Sequence, residues 1–217
     1  MVKIFLETNK KQTAEYCFYK TLLKHLGIID NEFELICVGG KDNLHNNSNI
    51  MKINTMERGT NLVIFDADTE SNKGGFEKRY KEMMDFAGNQ NLSFELFLMP
   101  NNSDDGDFET MIENIARKDI HQSFFNCFES YERCVERHKD SNGKQVYYAP
   151  NLKGKLYTYI TSMKMSNSQL KKIKDGDWLF DDPEYWDIDS STLDPLKSFL
   201  LKNFKKELLK FQEQSNF

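Results

Sequence analysis

Apolar runs and amphipathic stretches take turns along the first half of the chain. Residues 2–6, Val-Lys-Ile-Phe-Leu, form a short β-type run that ends on Glu7. Beyond a polar stretch, Cys17, Leu22, Leu23 and Leu26 recur at three- and four-residue steps and Gly27 stands as a stop. That spacing predicts a helix over 13–26. A second strand is expected over 33–38, closed by Gly39-Gly40, and a short apolar segment lies at 50–53.

Residues 61–65, Asn-Leu-Val-Ile-Phe, then run without alternation into Asp66-Ala67-Asp68. Unbroken hydrophobicity of this kind marks a central parallel strand buried on both faces. Gly74-Gly75 leads into a helix over 76–86, and 92–99 is a further strand ended by Pro100. Strands alternating with helices predict an α/β fold, a mainly parallel sheet flanked by helices. In such sheets ligands bind beyond the carboxyl ends of the strands, where Glu7, Asp66 and Asp68 fall.

From Asp107 the pattern turns helical. Asp105 or Asp107 caps a helix over 108–116, and a second helix over 123–137 carries Phe124, Cys127, Phe128, Tyr131 and Val135 on one stripe. Leu156, Tyr159 and Ile160 mark a short helix, and Leu193, Leu196, Phe199, Leu200, Phe204, Leu208 and Phe211 a long last one over 190–211 with Pro195 in its first turn. The expected division is therefore an α/β domain over 1–117 and a mostly helical C-terminal extension over 118–217 packed on it.

Composition narrows the class. At 217 residues the chain can build one sizeable core, and 39% apolar with 13% aromatic residues suffices to fold it despite 29% charged content. No apolar run nears the ~20 residues of a membrane span, and the first residues are too short for a signal-peptide core, so a cytoplasmic protein is expected. Cys17, Cys37, Cys127 and Cys134 form no C-x-x-C pair and read as reduced core thiols. The net charge of −5 argues against a surface that grips nucleic acid everywhere, while leaving room for a local basic groove.

The candidate chemistry lies in carboxylates. Asp66 and Asp68, two apart after a buried strand, project in the same direction if the extended geometry persists, and would then share a hard cation. Glu7 ends another strand, and if the two strands are near neighbours three carboxylates meet on one rim. The plain alternative is that strand-end Asp residues cap turns. Gly39-Gly40-Lys41 lacks the spacing of a phosphate-binding Walker motif and reads as a turn. The four histidines share no metal-type spacing, and no Ser/His/Asp or Cys/His arrangement is defensible. Lysines of the last helix most simply form its solvated face, although Tyr147, Tyr148 and Tyr157 are available for stacking beside a nucleic-acid path.

The order strand-Glu7, helix, strand, strand-Asp66-Ala67-Asp68 resembles the Toprim domain, including that of the overcoming-lysogenization-defect nucleases. The stretch 97–109 with Gly39-Gly-Lys-Asp-Asn43, Tyr185-Trp-Asp187 and Leu196-Lys-Ser-Phe-Leu200 is similar to a group of uncharacterised bacterial Toprim-related proteins. Thr8 stands where Toprim proteins usually have Gly. The resemblance implies a metal-dependent nuclease using Mg²⁺ (or Mn²⁺), held by Glu7, Asp66 and Asp68. It also implies Glu109 of Asp105-Gly-Asp-Phe-Glu109 as a late metal ligand, and one of Lys153 or Lys155, of which we take Lys155, neutralising a transition-state phosphate. Glu15 reads either as a second metal ligand by the same resemblance or as a first-turn Glu favoured by the helix dipole. The implied substrate is a nucleic acid, with a protein partner or a homodimer and roles in phage defence or RNA/DNA processing as further expectations; a small nucleotide would use the same metal logic. The alternative is a non-catalytic Toprim-like binding or regulatory module.

Overall fold

The computed structural model describes residues 1–215, and side chains as far as Glu207. Four strands, β1 (Val2–Leu6), β2 (Phe33–Cys37), β3 (Thr60–Asp66) and β4 (Glu95–Met99), form one all-parallel sheet in the order β2-β1-β3-β4. The α/β expectation holds. The chain leaves β1 toward β2 and then crosses back to β3 on the other side, so the direction of winding reverses between β1 and β3. At such a reversal the connections diverge and open a crevice at the carboxyl ends of the two strands.

Alternation along each strand feeds two cores. Val2, Ile4 and Leu6 of β1, Leu62 and Ile64 of β3, and Phe97 and Met99 of β4 face one side. They meet α1 (Ala14–His25), α4 (Phe108–Ile115), α6 (Leu152–Thr161) and α8 (Asp194–Ser215). Phe5, Val63, Phe65 and Leu98 face the other, under α2 (Ser48–Met56) and α3 (Phe76–Gln90). Every residue from Thr60 to Phe65 is buried, which is why that strand shows no polar alternation in sequence.

The C-terminal half shares the first core. Trp186, fully buried, donates its Nε1–H to the Trp178 carbonyl at 2.8 Å, and its backbone bridges Ala116. Tyr159 donates its hydroxyl to the Tyr185 carbonyl at 2.9 Å. Phe18 of α1 meets Phe108 of α4 and Phe180 edge-on, with centroids 5.6 and 5.3 Å apart. The boundary expected at residue 117 therefore separates two stretches with one hydrophobic core between them.

Several expected elements shift. Residues 50–53 belong to helix α2, where Met51 and Asn54 are buried and Ile50 and Ile53 are exposed. Helix α3 runs on to Gln90, and β4 begins only at Glu95. Helix α7 (Asn167–Lys174) was unforeseen; it opens on a capping box between Ser166 and Gln169. Pro195 does lie in the first turn of α8, whereas the side chains of Leu208, Lys210 and Phe211 fall outside the described residues. In α5 (Gln122–Glu136) only Phe125 and Phe128 are buried. Cys127 and Cys134 are exposed and Tyr131 is nearly half-exposed, correcting their expected place in a core. The reason is that α5 reaches past the edge of the core, leaving its stripe uncovered. All four cysteines are free.

Because Phe18 joins α1, α4 and the 175–187 segment, Phe18→Ala should cost about 3–5 kcal/mol in urea unfolding, as expected for a fully buried Phe. A cost under about 1 kcal/mol, the size of a surface substitution, would show that these parts do not share a core.

Candidate acidic site at the carboxyl end of the sheet

Glu7 follows β1 and Asp66 ends β3, and the pairing of Leu6 with Ile64 sets them side by side at the winding reversal. The Asp66 N–H donates to Glu7 Oε2 at 3.1 Å, so adjacency of the two acids is built into the backbone. The Asp66 carboxylate in turn accepts from the Phe108 N–H at 2.9 Å, the first residue of α4. There it meets the positive end of that helix. Asp107 caps α4 by accepting from the Thr110 N–H at 2.7 Å, and Glu109 stands in the first turn. Thr13 caps α1, which puts Glu15 in that helix's first turn, and the Thr8 hydroxyl bonds the Thr13 hydroxyl at 2.8 Å.

These elements enclose a cavity of about 550 Å³ lined by Glu7, Glu15, Asp66 and Glu109, with Lys153, Lys174, Tyr157 and Trp178 on the C-terminal side. Gly176 closes that wall: its φ is +93°, and a Cβ there would lie 2.6 Å from the Thr13 nitrogen. The loop after α7 and the start of α1 can approach so closely only with glycine at this position.

The electrostatics are those of crowded anions. Burial, and then Glu15, Glu7 and Glu109, hold the Asp66 carboxyl well above its ordinary range. Burial followed by Glu7 and Glu109 pushes Glu15 up to about 8, with Lys153 opposing. Glu7 is raised as well, chiefly by burial, against the lowering effect of the Asp66 N–H. Lys153 bonds Glu109 at 2.8 Å; burial works against its charge, but Glu109, Glu15 and Asp66 prevail and its pKa is raised. Beneath the cluster lies Tyr19, one helical turn after Glu15, whose buried hydroxyl has no hydrogen-bond partner among the described residues and is affected by Glu15 and Asp66.

Four sequence candidates, Glu7, Glu15, Asp66 and Glu109, thus come to one cavity. Two do not. Asp68 adopts φ +59°, so the strand's extended geometry stops before it and its side chain turns to form an ion pair with buried Arg79. Lys155 bonds Glu113 at 3.0 Å and lies over the Phe125 ring. Two residues apart on a helix means about 200° of rotation, so only one of Lys153 and Lys155 can face the cavity. The Gly39 and Gly40 N–H groups bond the Thr8 and Glu7 carbonyls at 2.9 and 2.8 Å, which leaves them for a turn rather than a phosphate. Lys174 and Trp178 carried no local signal, whereas Tyr157, available for stacking by sequence, shares a helix face with Lys153 at a four-residue step.

The donor set is all oxygen, which suits a hard cation. Among the described residues no three His, Cys, Asp or Glu side chains converge tightly enough to enclose a metal ion. Mg²⁺ does not demand such a cage, since it keeps several waters and takes one or two carboxylates beside substrate oxygens. Mutual repulsion among the acids and the unpartnered Tyr19 hydroxyl both fit a centre that receives a hydrated cation.

A family model described as a protein of unknown function (DUF3226) matches residues 13–205. The chain belongs to this family. The match takes in Glu15, Asp66, Glu109 and Lys153 and stops short of Glu7. Searches of curated proteins and of solved structures returned no match. No described helix is long and apolar enough to cross a membrane.

The acid cluster sets the pH dependence of stability. Glu15 keeps its proton to about pH 8 in the fold but would lose it near its ordinary 4.5 when unfolded. Over that window the folded state binds more protons, so stability falls as pH rises. Asp66 and Glu7 act in the same direction. In EDTA, Tm should therefore drop between about pH 5 and about pH 8, and Glu15→Gln should flatten the drop. A Tm that climbs over this range, or an unchanged slope in the variant, would refute the assignment.

Proposed function

We propose that the chain is a Mg²⁺- or Mn²⁺-dependent phosphodiester hydrolase acting on nucleic acid, of the Toprim type that its strand-end acids resemble. The observation that carries this reading is the meeting of Glu7, Asp66, Glu15 and Glu109 in one cavity at the winding reversal of a parallel sheet. Asp66, with Glu109 and Glu7, would hold the cation. A bound divalent ion supplies charge neutralisation at phosphoryl oxygens and a more acidic bound water.

The remaining groups act through their own chemistry. Lys153, kept charged by the surrounding acids, is the cation placed to stabilise negative charge growing on a phosphate, the role expected of Lys155 in sequence. Glu7, held by the Asp66 N–H and lining the cavity, would ligate the cation or relay a proton. Thr8 occupies its place in the loop by bonding Thr13, so the hydroxyl substitutes a side-chain contact for the freedom of a glycine. The protein would work where its substrate is, in the cytoplasm, alone or with a partner.

One observation favours a second reading. Arg79 neutralises Asp68, removing one acid of the Asp-x-Asp pair from the cavity. A scaffold with fewer free carboxylates suits a binding or regulatory module that holds a cation and a phosphate without turnover.

Two measurements separate these readings. Mg²⁺ or Mn²⁺ should raise Tm in the wild type and not in Asp66→Asn. Incubation with single- and double-stranded DNA and RNA should give metal-dependent cleavage that falls by about 100-fold or more in Asp66→Asn. A thermal shift without cleavage of any polymer or nucleotide selects the binding module; neither effect refutes both.

A further inference from the structure

Beyond Phe128 the chain leaves the core and forms a projecting finger. Helix α5 continues to Glu136, and residues 137–148 fold back as a small hairpin on their own bonds. The Asp140 carboxylate accepts from the Asn142 and Lys144 N–H groups, both at 2.9 Å, Gly143 supplies φ +74°, and the Val146 N–H donates to the His138 carbonyl at 3.1 Å. The His138 and Tyr147 rings lie against each other with centroids 5.2 Å apart. The turn is therefore shaped internally, with no core beneath it.

What the finger shows to solvent is unusual for this chain. Tyr147 and Tyr148 are 53% and 73% exposed, and Tyr131 and Val146 are exposed beside them. Between the rings stand Arg137, Lys139 and Lys144, all exposed and with no ion pair among the described residues. The one carboxylate in 137–148, Asp140, is spent on the turn. An acidic chain of net charge −5 thus carries a locally cationic, aromatic tip.

The finger is joined directly to the acidic cavity. Four residues separate Tyr148 from Lys153, at most about 18 Å from one to the other along the chain, and Asn151 caps α6 between them. Tyr157, 39% exposed, lines the cavity itself beside Trp178, with ring centroids 6.1 Å apart. Exposed rings interleaved with free cations match a strand of unpaired bases on a phosphate backbone. A protein interface would instead be depleted of lysine at its centre. Paired bases are stacked inside a duplex, out of reach of these rings.

We propose that the finger tip over residues 137–148 binds single-stranded nucleic acid, with Tyr147 and Tyr148 stacking on bases and Arg137, Lys139 and Lys144 holding phosphates, and leads the strand past Tyr157 into the acidic cavity. This rests on the reading of that cavity as a phosphodiester site and names its substrate as single-stranded. It also eases an electrostatic difficulty: four crowded carboxylates repel a polyanion, and the finger adds cations to Lys153 and Lys174 of the cavity.

The test is fluorescence anisotropy in EDTA, where binding is read without metal-dependent chemistry, using labelled oligo(dT) and oligo(rU) of about 12 nucleotides. Tyr147→Ala/Tyr148→Ala should weaken binding by about 10-fold or more. Lys139→Ala/Lys144→Ala should weaken it and lower the slope of log K against log salt by about 0.7 for each phosphate that is no longer neutralised. The DNA and RNA arms decide the sugar, and duplex of the same length should bind less tightly than either strand. Wild-type Tm in each variant guards against misfolding, which the finger's exposure makes avoidable. Equal binding by wild type and variants, or no binding by wild type, overturns the proposal. So does an effect of the substitutions confined to concentration-dependent self-association in sedimentation, which would assign the tip to a second copy of the chain. Hydrolysis of bis(p-nitrophenyl) phosphate by wild type with Mn²⁺ tests the phosphodiester reading by itself, so oligonucleotide binding without hydrolysis sinks that reading and leaves the finger standing.

Discussion

Asp66 holds the acidic end of the sheet together. Its N–H donates to Glu7 on the neighbouring strand, and its carboxylate accepts from the first N–H of α4. Through these two bonds one residue ties β1, β3 and the helix that carries Glu109. The arrangement puts a buried acid where the sheet's winding reverses and surrounds it with three more. Such crowding is unfavourable to folding at neutral pH, as the raised Asp66, Glu15 and Glu7 carboxyls record. A fold keeps strain of this electrostatic kind where the surrounding packing over-determines it. Here that packing is the aromatic core around Phe18, Phe108 and Phe180.

The C-terminal half is more than a support. Bonds from Trp186 and Tyr159 to the Trp178 and Tyr185 carbonyls knit it together internally, and its buried side chains join the core on one face of the sheet. It then contributes the cations and rings that the sheet's own end lacks: Lys153, Lys174, Tyr157 and Trp178. The cavity is thus acidic on the sheet side and cationic and aromatic on the other. Under the proposed function, a phosphate between the two would meet a counter-charge on the helical side and a cation held by the acids on the sheet side. The finger extends the same division outward, with its tyrosines and lysines on the chain segment that leads into α6.

Much of the architecture was legible in local pattern. The strand-helix alternation, the continuous run into Asp66, and the capping role of Asp107 follow from short-range chemistry, since hydrogen bonds to a helix's first N–H groups and burial on both faces leave direct traces in residue type. Helix α7 was missed because its apolar content is slight, although the Ser166-x-x-Gln169 box was present to be read. The stripe on α5 was over-read: periodicity predicts a face, but whether anything covers that face depends on how far the core extends.

The site divides in the same way. The sequence by itself determined that acids would stand at the ends of β1 and β3, because a parallel strand that ends on a carboxylate delivers it to the carboxyl edge of the sheet. It also determined that Glu109 would open a helix. Only the tertiary structure decided which acids share a cavity. A single left-handed residue at Asp68 turned that side chain to Arg79, and helical rotation put Lys153 rather than Lys155 against Glu109. Glu15 was admitted by the close approach of Gly176 to Thr13. These outcomes depend on one dihedral, a rotation about a helix axis and a contact more than 160 residues apart in the chain, none of which a local pattern of residue types encodes.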